Sequence, residues 1–392
     1  NGTPFIAGMG AISVIPADWF QYYAGWVDTL EGTVPVSNDP TSLWYTRRVP
    51  FGVVGIITAY NAPMAFMGLK VAAALAAGNT VVVKPSELAP WAVLRFAEIC
   101  REVGVPDGVV NILPGGREAG EALVSHPDVD RLTFTGGDQT ARAIMGLAAQ
   151  NLTPVTLELG GKSASIIFED ANIEAAAQLA IQGSSAFING QACVAGARVL
   201  AQRSVYEQVT EALAAVSNML PVGDPASPDT IIGPVISEHH CNRIMSIIDN
   251  AGQSEGAKVV CGGERVGGDF ADGYFIKPTV VAGVTPDSSL AQNEVFGPVV
   301  SVTPFDTEEE AIAIANNSRY GLAGYVHTQN LGCAHRVAQS IDAGVISVNA
   351  PYMVPSNVPF GGMKASGFGR EGGPEGIFEM THSQSIQIGM GG

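Results

Sequence analysis

Basic residues are scarce in this chain: 20 Lys and Arg stand against 37 Asp and Glu, a formal net charge of −17 over 392 residues. That balance disfavours nucleic acids and anionic membranes as partners held by bulk electrostatics. Long hydrophobic runs are also missing. The apolar run at residues 71–77 stops at Gly78-Asn79, far short of a bilayer span. No basic stretch followed by an apolar one opens the chain, so no secretion signal is visible. The first residue is Asn1, within sequence that reads as helical, and the chain is therefore expected to be a fragment lacking an N-terminal segment. Cysteines number only five, with no CxxC pair, which fits reduced thiols in a cytoplasm better than a disulfide framework. His239-His240-Cys241 could suggest a metal, but three adjacent residues converge poorly on one ion and no partner cluster has ligand spacing. No metal site is expected.

What remains is 46% hydrophobic and 15% charged, the composition of a globular enzyme long enough for two or three domains. From Gly52 onward short β-rich runs alternate with helical ones. Strands are expected at 53–58, 80–84, 109–113, 132–135 and 155–158, with helices at 64–77 and 87–103. This order indicates an α/β fold with a doubly wound parallel sheet. A second alternating series, with strands at 164–168, 198–201, 299–304 and 345–348, indicates a second α/β domain. Residues 31–48 are polar and extended, with Pro35 and Pro40, and are expected to form a hairpin outside the sheet. Residues 384–388 alternate as a half-buried strand. Both segments are expected to pair across subunits.

Polar residues gather where the first-series strands end: Tyr60-Asn61, Lys84-Pro85-Ser86-Glu87, Thr135-Gly136-Gly137 and Glu158-Leu159-Gly160-Gly161. Open α/β sheets bind ligands at such carboxyl ends, so four together point to a ligand site. Thirty-five residues beyond Glu158, Cys193 sits in Gly190-Gln191-Ala192-Cys193. Most cysteines are small buried hydrophobes and most Glu side chains are solvated. Together, however, a thiol nucleophile and a separate carboxylate base suit covalent carbonyl chemistry. Gly160-Gly161 are read as allowing cofactor or substrate to approach closely. Asn61, just before Ala62-Pro63, also reads as a helix cap.

Several ordered motifs resemble the NAD(P)-dependent aldehyde dehydrogenase superfamily, over essentially the whole chain. They include Pro50-Phe51-Gly52-Val53-Val54-Gly55, Gly78-Asn79-Thr80 through Glu87, Phe134-Thr135-Gly136-Gly137, and the Glu158 and Cys193 segments. Glu294-Val295-Phe296-Gly297-Pro298 and Pro359-Phe360-Gly361-Gly362-Met363-Lys364 complete the set. The resemblance implies a Rossmann-like cofactor domain (1–31 and 49–160), a catalytic α/β domain (161–370) and a small β oligomerisation element (32–48 and 381–392). It also implies a homodimer or homotetramer.

By the same resemblance Cys193 is the nucleophile and Glu158 the general base for hydrolysis. Asn61 holds the oxyanion with the Cys193 backbone N–H, and Lys70 and Glu371 join the catalytic set. Ile57, Thr58, Tyr60, Lys84, Ser86, Glu87, Thr135, Gly136, Gly137, Leu159, Glu294 and Phe296 would bind the cofactor. That cofactor is NAD rather than NADP, because Glu87 repels a 2′-phosphate, although Lys84 tolerates one. The Gly-x-Gly-x-x-Gly fingerprint is absent, as in the family. Departures are Tyr60 and Ala62 around Asn61, Gly137 where Ser is common, and one extra residue between Glu158 and Cys193.

The residues implied to line the substrate tunnel are Ala62, Phe66, Leu69, Ala192, Val194, Val354 and Phe360, all apolar, which favours aliphatic or aromatic aldehydes. A CoA-acylating or semialdehyde dehydrogenase of the same superfamily is the first alternative. A cofactor-independent thioesterase is the second, and it would need a His near the thiol; His239 and His240 lie in a helical run with no marked feature.

Overall fold

A computed structural model describes residues 1–8, 14–253, 256–351, 353 and 355–390. It contains two large sheets. The first has six strands in the order Gly367–Phe368, Val155–Glu158, Arg131–Thr135, Val53–Ile57, Thr80–Lys84, Val110–Ile112. All pair in parallel except Gly367–Phe368, which runs antiparallel to Val155–Glu158.

Period-2 alternation explains how both faces are covered. Val54, Ile56, Val81 and Val83 point into one buried cluster with Val93 and Phe96 of helix Trp91–Glu102. Val53, Ile57 and Val82 face the other, packed with Leu123, Ile144 and Ala148 of helices Arg117–Ser125 and Asp138–Asn151. From Val53–Ile57 the chain winds outward to one side, then returns to place Arg131–Thr135 on the other. The crevice at that reversal lies at the carboxyl ends of the strands.

The second sheet has seven strands, in the order Val345–Val348, Ala323–His327, Ala164–Ile167, Arg198–Gln202, Val299–Phe305, Thr279–Ala282, Lys258–Cys261. Only Lys258–Cys261 is antiparallel. The expected alternation is present in both sheets, and Thr279–Ala282, Ala323–His327 and Lys258–Cys261 are additions to it. Among the described residues no helix is long and apolar enough to cross a membrane.

Three expectations need correction. The helix expected from residue 87 begins at Trp91, because Pro90 occupies its N-cap and residues 86–89 close a turn. The helix expected over 64–77 is interrupted by a widened π turn, Met67–Ala72, which carries the fully buried Lys70. The segment at 31–48 folds back on itself at one point, the Thr46 N–H donating to the Thr33 carbonyl at 2.7 Å, but it holds a single strand and not the two of a hairpin. Strand Ser42–Pro50 pairs antiparallel with Thr381–Gly389 of the same chain, Ser42 opposite Gly389 and Pro50 opposite Thr381. Leu43 and Ile388 sit opposite each other in this ribbon, and both are exposed.

Candidate active site

The loop before Cys193 is bent sharply. Ile188, Asn189 and Gly190 all have positive φ (43°, 62° and 70°), a costly run for a β-branched residue. The surroundings hold it there. Asn189 accepts from the Gly233 N–H at 2.8 Å and donates to the Gly2 and Pro234 carbonyls, while Gln191 Oε1 accepts from the Ile236 N–H at 3.0 Å. A Cβ on Gly190 would overlap the Gly297 carbonyl. The Gly-Gln-x-Cys pattern is thus a tie and a close approach that deliver the thiol.

Asn61 does not cap the helix that follows: Ala62 is its N-cap, and Asn61 Nδ2 reaches across to the Gln191 carbonyl at 2.8 Å. One amide proton stays available beside the thiol. Burial, then the charges of Glu294 and Glu158, hold the Cys193 thiol far above its usual range, while the N–H groups of Cys193 and Val194 favour the thiolate.

Glu158 ends strand Val155–Glu158, 3% exposed, with neither carboxylate oxygen hydrogen-bonded. Burial and the nearby Glu371 charge raise it well above the usual carboxylate range, against Lys70 and Arg370. Lys70 and Glu371, 301 positions apart, form a buried ion pair, and Lys70 also donates to Thr133 Oγ1 at 2.9 Å. A bridge between Phe360 and Glu371 fixes the latter's backbone.

A cleft of about 630 Å³ lies at the sheet's crevice, walled by Ile57, Thr58, Tyr60, Lys84, Ser86, Glu87, Thr135, Gly136 and Gly137 among others. Lys84 Nζ meets Glu87 at 3.0 Å. Burial opposes ionisation of Glu87, but its own backbone N–H and Lys84 hold it below the usual range. Thr58 and Thr135 turn buried, unpartnered hydroxyls to this cleft. A dinucleotide fits these walls: a carboxylate for a ribose diol, hydroxyls and a glycine turn for polar oxygens.

A second cavity, of about 240 Å³, shares Tyr60, Thr135, Gly136 and Gly137 with the first and adds Asn61, Glu158, Leu159, Cys193, Glu294 and Phe296. The Cys193 thiol, the two carboxylates and the cleft are therefore contiguous.

The model of the Aldehyde dehydrogenase family matches residues 1–386. The chain belongs to the aldehyde dehydrogenase family. An aldehyde dehydrogenase of Emericella nidulans is 43% identical over 373 residues, covering 95% of this chain and 74% of the relative. An NAD+ complex of aldehyde dehydrogenase from Bacillus cereus superposes with TM-score 0.96 at 41% identity, covering 99% of this chain and 78% of that one. Betaine aldehyde dehydrogenase of Staphylococcus aureus, in complex with NAD+, does so with TM-score 0.94 at 40% identity, covering 97% and 75%. The family's reaction, oxidation of an aldehyde with a nicotinamide dinucleotide, is this chain's reaction.

Within this aldehyde dehydrogenase the apolar residues expected in a tunnel sit elsewhere than on the two cavities. Phe66, Leu69, Ala192, Val194 and Phe360 belong to one buried cluster, against which Ala62 and Cys193 pack. Val354 lies outside the described residues. Gly160, which lines the Cys193 cavity, and Gly161 next to it also permit close approaches within the protein itself. A Cβ on Gly160 would overlap the Glu294 carboxylate, and one on Gly161 the Cys193 carbonyl.

His240 and Arg243, on helix Glu238–Gln253, line the Cys193 cavity, which corrects the reading of the His pair as featureless. His240 Nε2 lies 2.6 Å from the Phe296 carbonyl, and Arg243 donates to the Glu294 and Val295 carbonyls at 3.3 and 2.5 Å. They clamp Phe296 in a left-handed conformation (φ 57°), with its ring meeting Tyr60 edge-on at 5.9 Å. Burial pushes His240 down to about 4, so its ring is neutral near pH 7 and donates to that carbonyl. Only the i, i+3 spacing of the pair marked them in the sequence.

Proposed function

We propose that this chain oxidises an aliphatic or aromatic aldehyde to its carboxylate with NAD, by way of a thiohemiacetal and then a thioester on Cys193. The observation that carries the reading is the contiguity of Cys193, Glu158 and Asn61 with the cleft walled by Lys84 and Glu87. The Cys193 sulfur adds to the aldehyde carbon, and its proton passes to the solvent or a neighbouring carboxylate. The resulting oxyanion is met by the remaining Asn61 amide proton and the Cys193 backbone N–H. Bound NAD+ supplies the hydride acceptor. Glu158, its oxygens unpartnered and its proton affinity raised, takes a proton from a water that attacks the thioester carbon. The carbon–sulfur bond breaks, and the carboxylic acid leaves with the thiol restored. Lys70 and Glu371 stand behind Glu158 and set the charge it faces.

Glu87 favours NAD, since Lys84 is already paired with it and a 2′-phosphate would meet the carboxylate. Glu158 favours hydrolysis over transfer to coenzyme A. Arg243, the cationic side chain on the Cys193 cavity, is committed to two carbonyls, which argues against a substrate carboxylate there. His240 shares the cavity, but its Nε2 is engaged by Phe296, so a Cys–His hydrolase is the weaker reading. Five free cysteines suit a reducing cytoplasm. The exposed ribbon of Ser42–Pro50 and Thr381–Gly389, edged by Leu43 and Ile388, suits a homodimer or homotetramer.

The test is NADH absorbance with a panel of aldehydes, with and without coenzyme A. Acid production and a rate unaffected by coenzyme A are expected. NADH formation only when coenzyme A is present would replace hydrolysis with acyl transfer.

A further inference from the structure

The two cavities meet at Ala59, Tyr60, Thr135, Gly136 and Gly137, the residues common to both walls. With NAD bound as proposed, its adenosine half lies in the cleft of Lys84 and Glu87 and its nicotinamide half beside Cys193. The anionic diphosphate that joins the halves then crosses at this junction, next to Gly136 and Gly137. The cations on the two walls are committed elsewhere. Lys84 pairs with Glu87 at 3.0 Å, Arg117 pairs with Glu121 at 2.7 Å, and Arg243 donates to the Glu294 and Val295 carbonyls.

The residue after Gly137 is an acid. Asp138 opens helix Asp138–Asn151, whose start carries no side-chain cap, and it stands between the cleft-lining Gly137 and Gln139. Its charge is close enough to help raise Glu294 in the Cys193 cavity. Left unbalanced, a carboxylate at this place would repel a diphosphate at the junction.

The balancing cation comes from the segment that leads into strand Ala323–His327 of the second sheet. Arg319 Nη1 donates to Asp138 Oδ2 at 2.8 Å, across 181 positions. Arg319 is itself held in place. The Ala365 N–H donates to its carbonyl at 2.9 Å, and its Nη2 donates to the Tyr320 hydroxyl at 2.6 Å. The guanidinium also lies 4.7 Å over the Tyr320 ring, and strand Tyr320–Gly321 pairs with Met363–Lys364. A part-exposed ion pair of this kind contributes little to folding stability, so its place beside the junction is what gives it a role.

On the proposed reading of both cavities as one NAD site, we infer that Arg319 is a positioning residue that acts through Asp138. By holding and offsetting that carboxylate, it sets how tightly the diphosphate of the dinucleotide is bound.

The test titrates NADH into the full chain and its variants by the fluorescence of the bound nucleotide. Arg319→Ala should weaken NADH binding about fivefold at low salt, with kcat at saturating NAD unchanged. The loss should fade between about 0.02 M and about 0.5 M sodium chloride, as an electrostatic effect does. Asp138→Asn should bind NADH more tightly than the intact chain, and Asp138→Asn with Arg319→Ala should return to within about twofold of it. Adenosine, which carries no phosphate, should compete equally well in all of them. Unchanged NADH affinity in Arg319→Ala overturns the inference. So does an Asp138→Asn variant that loosens NADH as Arg319→Ala does, the mark of a purely structural tie, or a double variant that stays as weak. If Arg319→Ala fails to fold, Asp138→Asn decides: tighter binding supports the role, and equal or weaker binding overturns it. An intact chain that binds no NADH would sink the NAD site itself, and this role of Arg319 with it.

Discussion

Glu158 and Glu294 line the same cavity as Cys193, and both are held above the usual carboxylate range by burial, yet their surroundings differ. Glu158 has two oxygens with no donor, and a second carboxylate, Glu371, raises it further. Glu294 is raised only to about 7, because the Gly161 N–H, Lys162 and Arg243 all favour its charged form. The contrast shows that burial alone does not assign a role. Unpartnered oxygens leave a carboxylate ready to take a proton, whereas oxygens met by donors fix it as an acceptor for a ligand hydroxyl.

Removing the thiol that both carboxylates face gives the largest effect. Cys193→Ala should lower turnover by about 10⁴-fold or more while NAD still quenches the intrinsic fluorescence; near-normal NADH production would dismiss Cys193 as nucleophile. Next comes the proton-accepting side. Glu158→Gln should release one NADH per active site in a burst and then turn over about 10²–10⁴-fold more slowly. Loss of the burst itself would place Glu158 in thiol activation instead.

The ligand-accepting side is broken more gently. The Cβ of Gly160→Ala would displace the Glu294 carboxylate, so the KM for NAD should rise about tenfold while the burst survives. An unchanged KM would deny Glu294 a place on the cofactor. Acidity sharpens the same contrast. A carboxyl raised to about 7 is charged above that pH and protonated below it, so the KM for NAD should climb as pH falls through about 7, and should do so less in Glu294→Gln. The smallest effect on chemistry is expected outside both carboxylates. Deleting residues 383–392 removes most of the Thr381–Gly389 strand and should weaken self-association in light scattering, with kcat changed by no more than about twofold. A truncated chain that associates like the intact one would remove the ribbon from the interface.

Much of this was legible in the sequence because it is local. Strands Thr80–Lys84, Val155–Glu158 and Val345–Val348 fall at the expected residues, each a short apolar run bounded by turn-forming neighbours. Strand ends carry the site in an open α/β sheet, so Lys84, Thr135 and Glu158 were recognisable from position alone. Helix starts were less legible. Pro90 postpones the helix expected at residue 87, a local signal outweighed by the hydrophobic period. The π turn around Lys70 left no period of its own, since one widened turn barely shifts a helical pattern.

By itself the sequence determined the two alternating series and the segments that present Cys193 and Glu158 with the turn that follows it, because period, turn chemistry and motif spacing are properties of neighbouring residues. Tertiary structure alone decided the rest. It paired Lys70 with Glu371, and Ser42–Pro50 with Thr381–Gly389. It brought His240 and Arg243 to the carbonyls of Glu294, Val295 and Phe296. It gave Gly160 and Gly161 a further reason, in a carboxylate and a carbonyl from distant segments. These are contacts between residues tens to hundreds of positions apart, and no local periodicity records which surfaces will meet once both sheets have packed.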